Sequence, residues 1–286
     1  VKTAASALHL LRPESPAQAL EWMRDRGPLQ PLAGGTDLYV ALNFGTCPAR
    51  AFLDLSRLRA WRGIRVDRDG GLRIGALTTM AEIRDHKGVA KALPALCAAA
   101  REIGGVQIQN RATIAGNLAN ASPAADTAPV LLAADAVLEL ASAAGVRRVP
   151  VAEFFLAYRR TALQPDELIQ AVVIPAPPRA GQWYFRKVGT RAANAISKVV
   201  FCGVRGPQPR IALGSVGPVP LRARRAEIAL AAGEPLEKAV AALQQDIAPI
   251  DDLRSTAEYR RFVAGGLLRQ FWERTAPPAR RGARRR

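Results

Sequence analysis

Gln107-Ile108-Gln109-Asn110-Arg111-Ala112-Thr113-Ile114-Ala115-Gly116-Asn117-Leu118-Ala119-Asn120-Ala121-Ser122-Pro123-Ala124-Ala125-Asp126 is the stretch on which the reading of this chain turns. It slows into small residues, Thr113, Ala115, Gly116, Asn117, Ala119, Asn120, Ala121 and Ser122, before Asp126 and Pro129 open an apolar helical run. Small side chains let a ligand approach the backbone, and consecutive free peptide N–H groups form a nest for an anion. Thr and Asn add donors without the desolvation cost of Lys or Arg. The ligand expected is a phosphate or pyrophosphate. A tight turn leading into a helix of small residues is the plainer reading of the same letters. A second loop weighs against it: Leu32-Ala33-Gly34-Gly35-Thr36-Asp37-Leu38 follows a short apolar run and opens a helix-like segment. It offers a second set of amide donors at a helix start, and two nests in one domain suit a dinucleotide.

Outward from these loops, Ser15-Pro16 begins a helix by its cap-then-proline order, ending by Gly27. Residues 29–33 and 51–55 read as strands, 37–43 as a short helix, and 61–66 with 72–77 as a hairpin around Asp67-Arg68-Asp69-Gly70-Gly71. Thr79-Met80-Ala81-Glu82 is a capping box whose helix breaks at Gly88, and 89–103 is one helix with Leu93, Leu96, Cys97, Ala100 and Ile103 on its core face. Residues 126–134 are helical, 136–141 and 147–151 pair as a hairpin, and 168–174 is a strand. Pro175-Ala176-Pro177-Pro178 cannot carry regular structure and marks a boundary. Beyond it come three antiparallel strands at 182–189, 196–204 and 210–216, then helices at 223–232, 236–247 and 255–273. There is no internal repeat.

The 286 residues suffice for two modest domains, and mean hydropathy near zero describes an ordinary soluble protein. The net charge of +17 comes mostly from scattered arginines, with one dense run at Arg280, Arg281, Arg284, Arg285 and Arg286 that reads as a solvated basic tail, 275–286. No helix-turn-helix, zinc-finger or aromatic RNA-binding pattern accompanies it, so no nucleic acid is expected. Cys47, Cys97 and Cys202 lack paired spacing, which excludes a disulfide framework and a Cys-x-x-Cys cluster site. His9 and His86 lie away from both loops, which argues against a Ser–His or Cys–His nucleophile and a His-rich metal site; no metal ligands or acid–base catalytic residues are assigned. Lys2 and the residues to Leu11 imitate a signal segment only until Arg12 and Pro13. No apolar run reaches membrane-spanning length, and the expected location is the cytoplasm.

With both loops in place, the chain resembles the FAD-binding medium subunit of the molybdenum hydroxylases, the family of the carbon monoxide dehydrogenase medium subunit and the xanthine dehydrogenase FAD module. Ala33-Gly34-Gly35-Thr36-Asp37-Leu38 matches the first FAD loop and Gln109 to Leu118 the second, whose family form is Thr-Ile-Gly-Gly-Asn. Ser122-Pro123-Ala124-Ala125-Asp126, Phe154-Phe155-Leu156-Ala157-Tyr158-Arg159-Arg160-Thr161 and Asp251-Asp252-Leu253-Arg254 to Tyr259-Arg260 also match, in order. The resemblance implies an α+β architecture. A two-subdomain FAD-binding domain of the PCMH / vanillyl-alcohol-oxidase-like kind covers 1–176, divided near 55, and a small C-terminal α+β domain of the CO dehydrogenase flavoprotein type covers 181–274. It implies that FAD has its pyrophosphate on Ala33, Gly34, Gly35, Thr36, Asp37 and Leu38 and on Thr113, Ala115, Gly116 and Asn117. Ile103 and Ile169 would pack on the cofactor, Asp126 would accept hydrogen bonds from its polar part, and Lys187 would lie near the flavin.

The implied role is electron transfer: from a molybdenum cofactor on a large subunit, through [2Fe-2S] clusters on a small subunit, to FAD here and on to an external acceptor, in a dimer of heterotrimers. Other readings are a stand-alone flavin reductase of the related cell-wall reductase type and an FAD-less scaffold. The sequence departs from the family at three places. Ala115 replaces a loop glycine, tolerable if its φ is negative. Ala157 stands where Gly usually precedes Tyr158-Arg159. Arg191-Ala192-Ala193-Asn194-Ala195 replaces the acidic run of xanthine dehydrogenases, which argues against NAD as acceptor.

Overall fold

Ser15 holds extended backbone and turns its hydroxyl onto the Gln18 amide, so the chain enters helix Pro16–Asp25 with its first orphan donor satisfied. That helix buries Ala19 and Met23 beneath a three-stranded parallel sheet in which Ala51–Asp54 lies between His9–Leu11 and Gln30–Leu32. The computed structural model describes residues 7–176 and 181–277. Lys2, the prolines Pro177 and Pro178 and the arginine run 280–286 therefore lie outside the described residues.

A five-stranded antiparallel sheet follows in the order Ile64–Val66, Leu72–Gly75, Leu168–Ile174, Val137–Ser142, Gly145–Pro150. The helices between residues 80 and 133 cover one face, and Leu72, Ile74, Leu138, Leu140 and Val172 join Met80, Ile83, Leu96, Ile114 and Leu131 in its core. Thr79 forms the expected capping box, its hydroxyl receiving the Glu82 amide while Glu82 receives the Thr79 amide at 2.8 Å. The long helix expected over 89–103 is instead two, Lys87–Ala92 and Pro94–Arg101, because Pro94 has no N–H to continue the first and starts the second. Gly88 lies inside the first of these; the preceding break falls at His86, whose imidazole caps the Val89 amide.

The third sheet is antiparallel and has four strands, Gln182–Val188, Val199–Arg205, Arg210–Gly214 and Leu221–Arg222, one more than the sequence pattern suggested. Two-residue Leu221–Arg222 is too short for an alternation to show. Helices Arg224–Ala231, Leu236–Asp246 and Ala257–Arg274 back this sheet through Phe201, Leu213, Leu243 and Phe271. Its other side meets helix Ala128–Ala133, where Arg210 and Arg222 donate to the Ala133 and Leu132 carbonyls at the helix's C-terminal end. The segments between residues 102 and 127 meet the loop that follows Gln30–Leu32 at Gly34, the strand Leu168–Ile174, and Lys187 of the strand Gln182–Val188.

Candidate functional site

Backbone N–H groups normally find partners on folding. Among the described residues, those of Ala33, Gly34, Gly35, Thr36, Asp37 and Leu38 donate to nothing in the chain. Gly35 has φ of 77°, which favours glycine, and the Tyr39 ring fills the space a side chain would take. The first loop is therefore an open amide cradle.

The second loop is built differently. Thr113 lies antiparallel to Thr79; Ile114 N donates to Thr78 O at 3.1 Å and Ala115 N to Ala76 O at 3.2 Å. Gly116 N is taken by Thr113 Oγ1 and Asn117 N by Thr113 O, as helix Ile114–Ala119 begins. The sequence reading expected free amides here, and the structure finds those of residues 114–117 occupied. A loop that lies against a neighbouring strand and turns straight into a helix spends its donors on itself. What it still presents are the exposed Gly116 backbone and the Asn117 side chain, whose Oδ1 accepts from Thr127 Oγ1 at 2.6 Å. Ala115 is helical and is not among the positive-φ residues, so its methyl is accommodated without strain.

The two loops touch. A Cβ on Gly34 would lie 2.0 Å from the Arg111 carbonyl oxygen, and Arg111 Nε donates back to Gly34 O at 3.2 Å. From this seam a continuous path runs through Thr113 and Asn117 to Thr127 and its neighbour Asp126. Asp126 Oδ2 accepts from Lys187 Nζ at 2.7 Å, and the same ammonium donates to the Glu102 carbonyl at 2.8 Å, beside Ile103. Both side chains are about nine-tenths buried, and Asp126 Oδ1 has no partner among the described residues. Burial pushes the Asp126 carboxyl up to about 6, with the Lys187 charge opposing the rise. Glu102 is also raised, by burial first, against the Lys187 and Arg186 charges. Ile103 and Ile169 belong to one buried cluster, Ile169 at a bulge in a strand that packs on helix Ile114–Ala119.

A sequence profile described as the FAD binding domain in molybdopterin dehydrogenase matches residues 6–177, and one described as the CO dehydrogenase flavoprotein C-terminal domain matches residues 184–275. The chain belongs to the FAD-binding medium subunits of the molybdenum hydroxylases. It is 35% identical to the xanthine dehydrogenase FAD-binding subunit of Escherichia coli O157:H7, across 85% of this chain and 87% of that one. The carbon monoxide dehydrogenase medium chain of Afipia carboxidovorans is 32% identical across 94% and 96%. A solved structure of reconstituted CO dehydrogenase from Oligotropha carboxidovorans superposes with a TM-score of 0.90 at 29% identity, covering 96% of this chain and 99% of its counterpart. This medium subunit is thus an oxidoreductase component whose cofactor is FAD.

Several features of the medium subunit's site had no sequence signal. Thr127 takes part through its hydroxyl, and the Glu102 carbonyl and the 76–79 segment through their backbone. Arg111 stood within the matched motif but gave no sign that it would bridge the loops.

Proposed function

We propose that the chain holds FAD so that electrons arriving from [2Fe-2S] clusters on a small partner subunit leave to an external acceptor, with substrate oxidised at a molybdenum cofactor on a large subunit. The observation that carries this reading is the unpartnered amide run from Ala33 to Leu38, seated against the second loop. Those amides would take the pyrophosphate, joined by the Thr113–Asn117 segment through the Asn117 side-chain amide, with the exposed Gly116 allowing close approach. The orphaned Asp126 Oδ1 suits a donor on the polar part of the cofactor, Ile103 and Ile169 suit its rings, and Lys187 supplies a fixed positive charge near the flavin. FAD supplies the one- and two-electron chemistry that no side chain here can perform.

The division at 176–181 and the one near 55 are proposed as the domain and subdomain limits. The oligomer is proposed as a dimer of heterotrimers. We place it in the cytoplasm, which the three unpaired, buried cysteines suit. Among the described residues no helix is long and apolar enough to cross a membrane. The test is rapid mixing of the intact complex with its reducing substrate: cluster bleaching should precede flavin bleaching, and a flavin that stays oxidised while the clusters are reduced would refute the role.

A further inference from the structure

Arg260, near the start of helix Ala257–Arg274, is 5% exposed and reaches inward. Its Nη2 donates to Asp252 Oδ1 at 2.6 Å and its Nη1 to the Ser215 carbonyl at 2.7 Å, while its Nε is buried without a partner among the described residues. Asp252 Oδ1 is itself fixed by the Arg254 and Ser255 amides at 2.8 and 3.1 Å. A buried guanidinium with an unmet N–H is costly, so its place calls for an explanation in what it holds.

It holds a strained turn. Ser215 has φ of 63°, a conformation that L residues keep only where their surroundings enforce it. Its N–H donates to the Pro123 carbonyl at 2.8 Å, and its hydroxyl meets Ser197 Oγ at 2.9 Å. Next to Arg260, the Tyr259 ring lies under the Lys198 ammonium at 5.0 Å, and Lys198 N donates to Val188 O at 2.7 Å. Pro123 precedes Asp126 by three residues and Val188 adjoins Lys187. The two ends of the buried Asp126–Lys187 pair are therefore fastened to the same helix start.

We propose that Arg260 is a positioning residue for the flavin site: held by Asp252, it sets where Asp126 meets Lys187 by locking Ser215 onto Pro123. This rests on the reading that the pair faces FAD. Removing the guanidinium frees the Ser215 turn, lets the Pro123 carbonyl shift, and misplaces the Asp126 carboxylate.

The test is a double-mutant cycle on the full chain, reading the FAD dissociation constant by flavin fluorescence and the melting temperature in parallel. Arg260→Met and Asp252→Asn should each weaken FAD binding by about tenfold in the wild-type background and by less than about twofold beside Asp126→Asn. Their effect on melting temperature should be the same in both backgrounds. If Asp126→Asn alone leaves FAD binding unchanged, the site assignment itself fails. If Asp126→Asn weakens binding but Arg260→Met still adds its full effect, Arg260 is only a stabilising residue and the proposal is overturned. Should Arg260→Met not fold, Asp252→Asn carries the same comparison.

Discussion

Gly34 approaches Arg111 so closely that a Cβ would stand 2.0 Å from its carbonyl oxygen and 2.6 Å from its carbonyl carbon. Glycine is needed at this position for contact between the loops, and the open cradle of amides follows from how that contact holds the first loop.

Gly34→Ala should force the loops apart. The chain should still fold, losing about 1–3 kcal/mol by overpacking, while FAD affinity falls by at least about tenfold. Denaturant unfolding and FAD titration of the same preparation separate the two effects. Unchanged affinity would show that the seam does not shape the site.

Asp126 gives the site a pH dependence. Its carboxyl ionises near 3.8 in an unperturbed setting and at about 6 when buried here. Between those values the folded chain retains a proton that the unfolded chain has released. Without cofactor, Asp126 therefore makes the fold less stable as pH rises through that window. The carboxylate that would accept a hydrogen bond from FAD is populated above about 6, so FAD affinity should fall as pH drops below it, and Asp126→Asn should flatten the profile. Titrations across the window in both proteins check this.

Lys187→Met removes the charge that opposes the rise of the Asp126 carboxyl, so at neutral pH the folded chain must bury that group unpaired or take up a proton on it. Either should cost about 3–5 kcal/mol in equilibrium unfolding at neutral pH, and less in mild acid. Adding Asp126→Asn should recover much of the loss. If the double variant is no more stable than Lys187→Met alone, the pair is not the source of the effect.

The loop between Val188 and Lys198 carries no carboxylate, and Arg191 folds back onto the Asn194 and Ala193 carbonyls at 2.6 and 3.0 Å. Asn194 N in turn donates to Gly104 O at 3.3 Å, which brings this carboxylate-free loop beside Ile103. The complete enzyme should reduce an artificial dye far faster than NAD. Rapid NADH formation would contradict that expectation.

Much of the fold was legible because its signals are local. Ser15-Pro16, the Thr79–Glu82 box and the apolar run Leu168–Ile174 that ends at Pro175 each specify an element within a few residues. The misjudged helix at 89–103 shows one local signal obscuring another: apolar periodicity continued past Pro94, although the missing N–H must interrupt the ladder. Of the site, the first loop could be read from Gly34 and Gly35, since glycine pairs announce unusual backbone. That the second loop's amides are satisfied by Ala76, Thr78 and Thr113 could not be read, because it depends on which strand lies alongside. The same holds for Arg260 and Ser215, forty-five residues apart in sequence and joined only by the fold.

The most direct test of FAD binding is the visible absorption spectrum of the purified native chain, with the released chromophore identified after denaturation. A flavin spectrum that yields FAD, with molybdenum and iron–sulfur signals present only when partner subunits co-purify, is the predicted result. A colourless chain that also fails to take up added FAD would contradict the account.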